Sequence, residues 1–279
     1  MLNILVTGGC GFIGSPTVFA LLKKGYRVFI FDSHCNSSIL VYERLRNMIR
    51  KVDKSLVFNL EYLKGDLRIY EDVERLFKKA KKEGNDIHAV IHFAGLKAVN
   101  ESIKKPLLYW DSNVLGSINL LKVMQNYSCK NLIFSSSATI YANPEKQKIN
   151  ESFSIKPINP YGNTKATIEN FLKDIYQSEL GEWRIINLRY FNPIGAHCSG
   201  MIGEDPKGKP NNIFPLILKV ASKRIKELKI FGKDWNTYDG TCIRDYIHVM
   251  DLADGHIAAC EYLSSNKSQI SSFNIGTGK

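Results

Sequence analysis

The chain lacks a long run of apolar residues. Its apolar stretches fall well short of the roughly 20 residues that cross a bilayer. The N-terminal stretch 1–7 is apolar, but it runs into glycines and lacks the basic region and the cleavage site of a signal peptide. We therefore expect a cytoplasmic protein.

Cysteine pairs at metal-binding spacing are also missing. The chain has 6 cysteines, and no two of them form a C-x-x-C pair. Their spread argues against a zinc site and against a disulfide framework, so we predict no metal and a reducing compartment. The cysteines are Cys10, Cys35, Cys129, Cys198, Cys242 and Cys260.

Acidic residues are fewer than basic ones. The chain has 27 Asp and Glu against 38 Lys and Arg, which gives a net charge of +11. This surplus suits an anionic small molecule or a polyanion. The lysines are dispersed along predicted helices, as in 78–82, where a solvated helix face is the simpler explanation. Nucleic-acid binding is therefore a minor hypothesis, and we expect neither a nucleic-acid nor a membrane partner.

Predicted strands and helices alternate along most of the chain, which indicates a parallel sheet wound on both faces. We predict a dinucleotide-binding domain over 1–190 and a substrate-capping segment, rich in Gly and Pro, over 191–250. Residues 251–279 are expected to return to the first domain. Because the sequence stops in a glycine turn directly after a predicted strand, we expect a C-terminally truncated chain.

A glycine turn follows the first predicted strand. Gly8, Gly11 and Gly14 open a helix, and this spacing allows a tight turn and close approach of the backbone to a pyrophosphate. A turn without a ligand is the alternative explanation. Asp32 closes the next strand, where a carboxylate can accept hydrogen bonds from both adenosine-ribose hydroxyls and repel a 2′-phosphate. We therefore predict NAD as the cofactor of a doubly wound Rossmann sheet.

Two further strand ends carry residues suited to the same cofactor. Asp66 and Leu67 follow the third predicted strand and can bracket an adenine. Phe93, Ala94 and Gly95 end the fourth strand. The carboxyl ends of parallel strands meet at one edge of the sheet, so all these residues are expected at one dinucleotide site.

A proton-transfer pair follows later in the sequence. Tyr161 and Lys165 are four residues apart, so they share one helix face. An ammonium beside a phenol favours the phenolate, which is a usable general base. Ser137 ends the preceding strand and can donate a hydrogen bond to a substrate oxygen. Taken alone, the pair is better explained by an amphipathic surface helix, but beside an NAD site the three residues indicate alcohol–ketone redox chemistry.

Together these features resemble the extended short-chain dehydrogenase/reductase family, and longer stretches are similar to its UDP-glucose 4-epimerases. The similarity extends over essentially the whole chain. The stretches that carry it are 91–99 (IHFAGLKAV), 134–139 (FSSSAT), 188–193 (LRYFNP), 203–206 (GEDP), 210–212 (PNN), 239–248 (DGTCIRDYIH) and 249–256 (VMDLADGH).

The resemblance implies roles for individual residues. The implied NAD contacts, beyond the residues derived above, are Phe12, Ile13, Asn36, Ser37, Lys97, Asn113 and, beside the nicotinamide, Tyr161, Lys165 and Tyr190. Tyr161, Lys165 and Ser137 are the implied catalytic residues. The implied substrate contacts are Lys97, Ser137, Tyr161, Asn192, Asn211, Asn212, Phe231 and Arg244.

The resemblance also implies a reaction and an assembly. It implies 4-epimerisation of a UDP-hexose, UDP-galactose to UDP-glucose, by transient oxidation at C4 with a cofactor that stays bound. A homodimer is implied, with the helices near 107–127 and 161–180 as candidate contacts.

Two alternatives stay open. A nucleotide-sugar 4,6-dehydratase shares the fold, NAD and the Tyr/Lys pair, but it carries Asp-Glu after its catalytic threonine, where this chain has Ala138 and Thr139. The other alternative is an NAD-binding fragment without turnover.

Overall fold

The computed structural model describes residues 1–141, 148–208, 210 and 212–278. Its main sheet has seven strands, all parallel, in the order β3-β2-β1-β4-β5-β6-β9, and β7 and β8 form a separate parallel pair. The strands are β1 Asn3–Thr7, β2 Arg27–Asp32, β3 Leu60–Lys64, β4 Ala89–His92, β5 Asn131–Ser137, β6 Arg184–Tyr190, β7 Asn192–Ile194, β8 Tyr246–His248 and β9 Gln269–Ile275.

Helices cover both faces of this sheet. They are α1 Gly14–Lys23, α2 Ile39–Val52, α3 Tyr70–Lys82, α4 Val99–Lys104, α5 Pro106–Tyr109, α6 Gly116–Asn126, α7 Pro160–Ser178, α8 Ile213–Ala221 and α9 Val249–Ser265. The apolar residues of α1, α2 and α9 pack in one buried cluster, and those of α3, α6 and α7 pack in a second. Because the central strands are covered on both faces, they are apolar almost throughout, as parallel strands are.

The strand order reverses between β1 and β4. In an open parallel sheet, a crevice forms there outside the carboxyl ends of the strands, and ligands bind in it. The loops after β1, β2, β3, β4 and β5 all open toward this edge. The doubly wound Rossmann architecture predicted from the sequence is therefore confirmed.

Three local features depend on contacts that the sequence analysis does not predict. Residues 54–59 form a 3₁₀ turn capped by the Asp53 carboxylate, so β3 begins only at Leu60. The helix expected near 107–127 is divided into α5 and α6 by a π-helical turn, Trp110–Leu115. The short strand β8 pairs with β7.

None of the helices in the described ranges combines the length and the apolar character that crossing a membrane requires.

Candidate active site

The turn after β1 is shaped by its glycines. Gly8 has φ of 69°, and a Cβ there would lie 2.8 Å from the Ala94 amide nitrogen. A Cβ on Gly14 would lie 2.3 Å from the Gly8 carbonyl oxygen. Both contacts are shorter than any real Cβ contact, so only glycine lets the turn, the loop after β4 and helix α1 approach this closely.

The N-terminus of α1 faces the turn without a side-chain cap. Neither a capping hydrogen bond nor an acidic residue is found in its first turn. The first N–H groups of a helix and its dipole attract anions, so this end suits a pyrophosphate. The glycine-lined turn therefore fits the pyrophosphate of NAD, and Gly8, Gly11, Phe12, Ile13 and Gly14 stay the predicted contacts.

Asp32 ends β2 beside this turn. One carboxylate oxygen accepts a hydrogen bond from the Cys10 N–H at 3.0 Å, and the other accepts from the His34 N–H at 2.9 Å and the Ser37 hydroxyl at 2.7 Å. A carboxylate has about four acceptor sites, so this fixed group can still accept from a ribose hydroxyl. Asn36, one residue before Ser37, accepts from the Lys207 N–H at 3.0 Å.

The loops after β3 and β4 form the next part of the crevice. Asp66 borders an open cavity lined by Ser33, Lys64, Gly65 and Asp72. Hydrogen bonds from Arg68 lower the pKa of the Asp66 carboxyl, and the side chain of Leu67 is buried next to it. Of the two predicted adenine contacts, Asp66 therefore borders this cavity, whereas Leu67 is buried beside it.

Lys97 spans the crevice from the loop after β4. Its ammonium donates to the Glu204 carboxylate at 3.0 Å and lies 5.5 Å above the Phe12 ring. Glu204 also accepts from the Asn212 amide at 2.7 Å. Lys207 donates to the His34 carbonyl at 2.6 Å. The segment after β7 thus lies across the crevice and is tied to cofactor-side residues by these bonds.

Tyr161 lies in the first turn of α7. This helix begins where Asn159 caps the Gly162 N–H and Pro160 occupies the first position. Burial raises the pKa of the Tyr161 phenol, and a hydrogen bond with Ser137 lowers it. The predicted partner Ser137 therefore lies near enough to the Tyr161 phenol to favour its ionised form.

Lys165 lies one turn further along α7. Its ammonium donates to the Ser135 carbonyl at 2.6 Å and lies 4.8 Å from the centre of the Phe134 ring. Burial lowers the pKa of Lys165 to about 8, and Glu169 opposes this effect. A Cβ on Gly95 would come within 4.0 Å of the Lys165 nitrogen, so the ammonium faces the loop after β4.

Asn113 lies in the π-helical turn between α5 and α6. Its amide exchanges hydrogen bonds with the backbone of Leu96, at 2.8 and 3.1 Å, and donates to the Thr164 hydroxyl at 3.1 Å. Thr164 in turn donates to the Tyr161 carbonyl at 2.7 Å. Asn113 thus links the cofactor loop to the Tyr161 helix, and Thr164 is a site residue that sequence reasoning missed.

Tyr190 ends β6 and bonds to His256 of α9. Burial lowers the pKa of His256 to about 4, so its ring is neutral. The ring Nδ1 must donate to the Leu252 carbonyl, 2.8 Å away, and Nε2 therefore accepts from the Tyr190 hydroxyl. His256 thus orients Tyr190, a role that was not predicted although His256 ends the stretch 249–256.

The predicted substrate contacts after β6 that the structure describes are bonded within their own segment or exposed. Asn192 donates to the Asp245 carbonyl at 2.9 Å, and Arg244 donates to the adjacent Ile243 carbonyl at 2.7 Å. Arg244 is exposed, and Phe231 is 85% exposed. Asn211 lies outside the described residues. The roles of this set stay predictions.

The glycine turn, the acidic end of β2 and the Ser/Tyr/Lys constellation fit an NAD-dependent enzyme that oxidises and reduces alcohols, and comparison with known proteins agrees. A family model described as the NAD dependent epimerase/dehydratase family matches residues 4–276, and the chain belongs to this family. The predicted family and fold are thereby confirmed.

Named relatives are more specific. A bifunctional UDP-glucose 4-epimerase and UDP-xylose 4-epimerase of Pisum sativum is 52% identical over 278 residues, which are 99% of this chain and 77% of that protein. A Pisum sativum UDP-glucose 4-epimerase is 51% identical with the same coverage. The structure of Bifidobacterium longum UDP-glucose 4-epimerase with NAD+ and UDP has a TM-score of 0.91, 44% identity, and coverage of 99% of this chain and 78% of that one.

Proposed function

We propose that the chain is an isomerase that converts UDP-galactose to UDP-glucose by NAD-dependent epimerisation at C4. The observation that carries this proposal is the common burial of Ser137 at the end of β5 with Tyr161 and Lys165 at the start of α7, on the side where the glycine turn opens. The identity of about half of the residues to UDP-glucose 4-epimerases supports the sugar nucleotide as substrate.

The protein residues divide the proton chemistry. Tyr161 removes the proton of the sugar 4-OH, and Ser137 donates a hydrogen bond to the same oxygen as it becomes a carbonyl. The positive charge of Lys165, one turn away, favours the phenolate form of Tyr161. Return of the proton by Tyr161 restores the starting state.

The crevice residues hold and orient the cofactor. Gly8, Gly11 and Gly14 admit the pyrophosphate, Asp32 accepts from the adenosine ribose, and Lys165 faces the nicotinamide side. Bound NAD supplies an acceptor for the C4 hydride and then its donor. The segment after β7, whose Glu204 binds Lys97, keeps water away from this transfer.

Dehydration is disfavoured by the chemistry after Ser137. A 4,6-dehydratase needs an extra acid and base there, whereas Thr139 donates its hydroxyl to Ser137 at 2.9 Å and Ala138 has no functional group. A UDP-pentose is a closer second substrate, because the relative in Pisum sativum acts on UDP-xylose as well as UDP-glucose by its name.

Substrate recognition is assigned to residues 191–250 as a cap over the domain formed by 1–190 and 251–279. Asn192, Asn212, Phe231 and Arg244 are the proposed contacts of the UDP-sugar, together with Asn211. Arg244 offers a guanidinium fork of the shape that binds a diphosphate in two places. The net charge of +11 favours the approach of such an anion.

A homodimer is part of the proposal. Helices α4 to α6 expose apolar side chains: Ile103 is 60% exposed and Leu107 is 82% exposed. Self-association of this face removes apolar area from water. Analytical ultracentrifugation tests it, and a Leu107→Glu variant is expected to sediment as a monomer.

We place the protein in the cytoplasm. All six cysteines are unpaired in the structure, and three of them are exposed, which suits a reducing compartment. Fractionation of cells that produce the protein tests this assignment.

The direct test of the reaction is incubation of the purified protein with UDP-galactose, without added NADH, followed by proton NMR. UDP-glucose is the expected product. Formation of UDP-glucose only when NADH is supplied and consumed, or a 4-keto-6-deoxy product, would contradict epimerisation. UDP-xylose, run in parallel, tests the second substrate.

A further inference from the structure

A buried ion pair lies directly beneath the catalytic residues. Glu169 of α7 has no exposed surface, and Arg189 of β6 is 3% exposed. The guanidinium donates through two nitrogens to the two carboxylate oxygens, at 3.0 and 2.6 Å. Ser136 of β5 donates to the same carboxylate at 2.6 Å. We call these three residues the buried clamp.

The clamp residues lie on the same three elements as residues of the predicted site, one residue or one helical turn further from the sheet edge. Ser136 and Arg189 are paired in the β5–β6 ladder, and the next pair toward the sheet edge is Ser137 with Tyr190. Glu169 lies one helical turn after Lys165 on α7. Strand β5, strand β6 and helix α7 therefore each carry one clamp residue close to a residue of the predicted site.

We propose that Glu169 and Arg189 are positioning residues of the reaction. They join α7 to β5 and β6 next to the site. This connection fixes the position of Lys165 relative to Ser135 and of Tyr161 relative to Ser137. The negative charge of Glu169 also holds Lys165 in its ammonium form. This inference rests on the proposed function, because it concerns the residues that move the proton of the sugar.

The surroundings of Lys165 support the second role. In the described residues the charged group that acts on Lys165 is Glu169, on the same helix. Across from it, β4 presents His92, whose ring is neutral because burial lowers its pKa to about 3. β5 presents the apolar Phe134 ring, and Tyr161 is the remaining titratable neighbour on α7. Loss of the Glu169 charge therefore lowers the pKa of Lys165 further, and the phenolate form of Tyr161 is left as its anionic neighbour.

Arg189 extends the clamp outward. Its guanidinium donates to the Tyr141 hydroxyl at 2.8 Å, and Tyr141 donates to the Asn274 side chain at 2.7 Å. The clamp thus couples α7 to the edge strand β9 as well. Removing one partner leaves the other as an uncompensated buried charge, which strongly destabilises a fold. The test must therefore separate folding from positioning.

The experiment measures kcat for UDP-galactose against pH in the holoenzyme and in its Glu169→Gln variant. We expect kcat to fall roughly 10- to 100-fold with little change in KM, since a small misplacement of catalytic groups has that cost. The alkaline limb of the pH profile is expected to move to lower pH by about 1 unit. The limb moves to lower pH because Lys165 of the variant loses its proton at a lower pH than Lys165 of the unchanged protein.

A direct titration accompanies the kinetics. The protein is labelled with ¹³C at the lysine ε-carbon, and the Lys165 signal is assigned from its absence in Lys165→Met. Its midpoint is expected to fall in Glu169→Gln. If the wild-type protein does not epimerise UDP-galactose, the proposed function fails, while this titration still tests the clamp.

Two further variants serve as controls. Glu179→Gln removes a carboxylate that binds Lys130 and Trp183 just after the end of the same helix, and it is expected to leave the alkaline limb in place. A Glu169→Met, Arg189→Met double variant removes both charges and is expected to fold, with the limb still shifted. A folded Glu169→Gln protein with unchanged kcat, limb and Lys165 midpoint would overturn the proposal.

Discussion

The cofactor side and the substrate side of this site are built differently. Ser137, Tyr161 and Lys165 are each at most 9% exposed and are held by strand ends and a capped helix. Phe231 and Arg244 lie on exposed loops, and the strand pair β7–β8 is three residues long. We propose that the chemistry is preorganised in the buried part, whereas the predicted contacts of the UDP-sugar lie on segments that pack less tightly.

Removal of the base on the rigid side has the largest expected effect. Tyr161→Phe keeps the ring and its packing but loses the hydroxyl, so kcat is expected to fall roughly 10²- to 10⁴-fold. KM for UDP-galactose should stay within a small factor, because the hydroxyl acts mainly in the transition state. Steady-state kinetics check this, and near-normal turnover would refute Tyr161 as the base.

A side chain added to the glycine turn after β1 is also expected to reduce NAD binding strongly. In Gly14→Ala the new methyl group would lie 2.3 Å from the Gly8 carbonyl oxygen, and such overpacking costs roughly 1–3 kcal/mol of unfolding free energy. The purified variant is expected to contain much less NAD, measured by absorbance after denaturation. Gly255→Ala is the control, since its Cβ has only an ordinary contact at 3.9 Å. Equal NAD content in both variants would contradict the assignment of the glycine turn to NAD binding.

On the substrate side the expected effect is on binding rather than on chemistry. Arg244→Ala removes a charge-assisted hydrogen bond to the diphosphate, so KM is expected to rise roughly tenfold or more. The value of kcat should change little. Arg224→Ala, another exposed arginine of the same segment, serves as the control and should leave KM unchanged. A fall in kcat alone would mean that the two sides are coupled more tightly than their structures indicate.

The smallest predicted effect concerns stability on the cofactor side. Burial lowers the pKa of His92 to about 3 and that of His256 to about 4, so both stay neutral in the fold and gain protons only on unfolding. Stability is therefore present above the unfolded pKa of about 6.5 and is lost as pH falls below it, by about 1 kcal/mol between about pH 7 and about pH 6. Urea unfolding at the two values measures the loss. His256→Gln should reduce it by about half, and a constant unfolding free energy would contradict the account.

These regions also differ in how far their sequence predicts them. Apolar strands, the glycine spacing and Asp32 indicate the sheet and its cofactor edge, because each has a local pattern. Glu169 and Arg189 carry no such pattern: a charged residue in a helix or strand usually faces solvent, and only the packing of α7 on β5 and β6 buries them together. The π-helical turn that orients Asn113 likewise depends on tertiary contacts. The loops before β8 have neither a repeat nor a capping signal to fix them.

The central claim is that one hydride leaves C4 of the sugar and returns to it within the same bound complex. The most direct measurement uses UDP-galactose deuterated at C4, incubated with the protein in ordinary water without added NADH. We predict UDP-glucose that retains deuterium at C4, read by NMR and mass spectrometry. Loss of the label to solvent, or transfer of it to free NADH, would contradict the account.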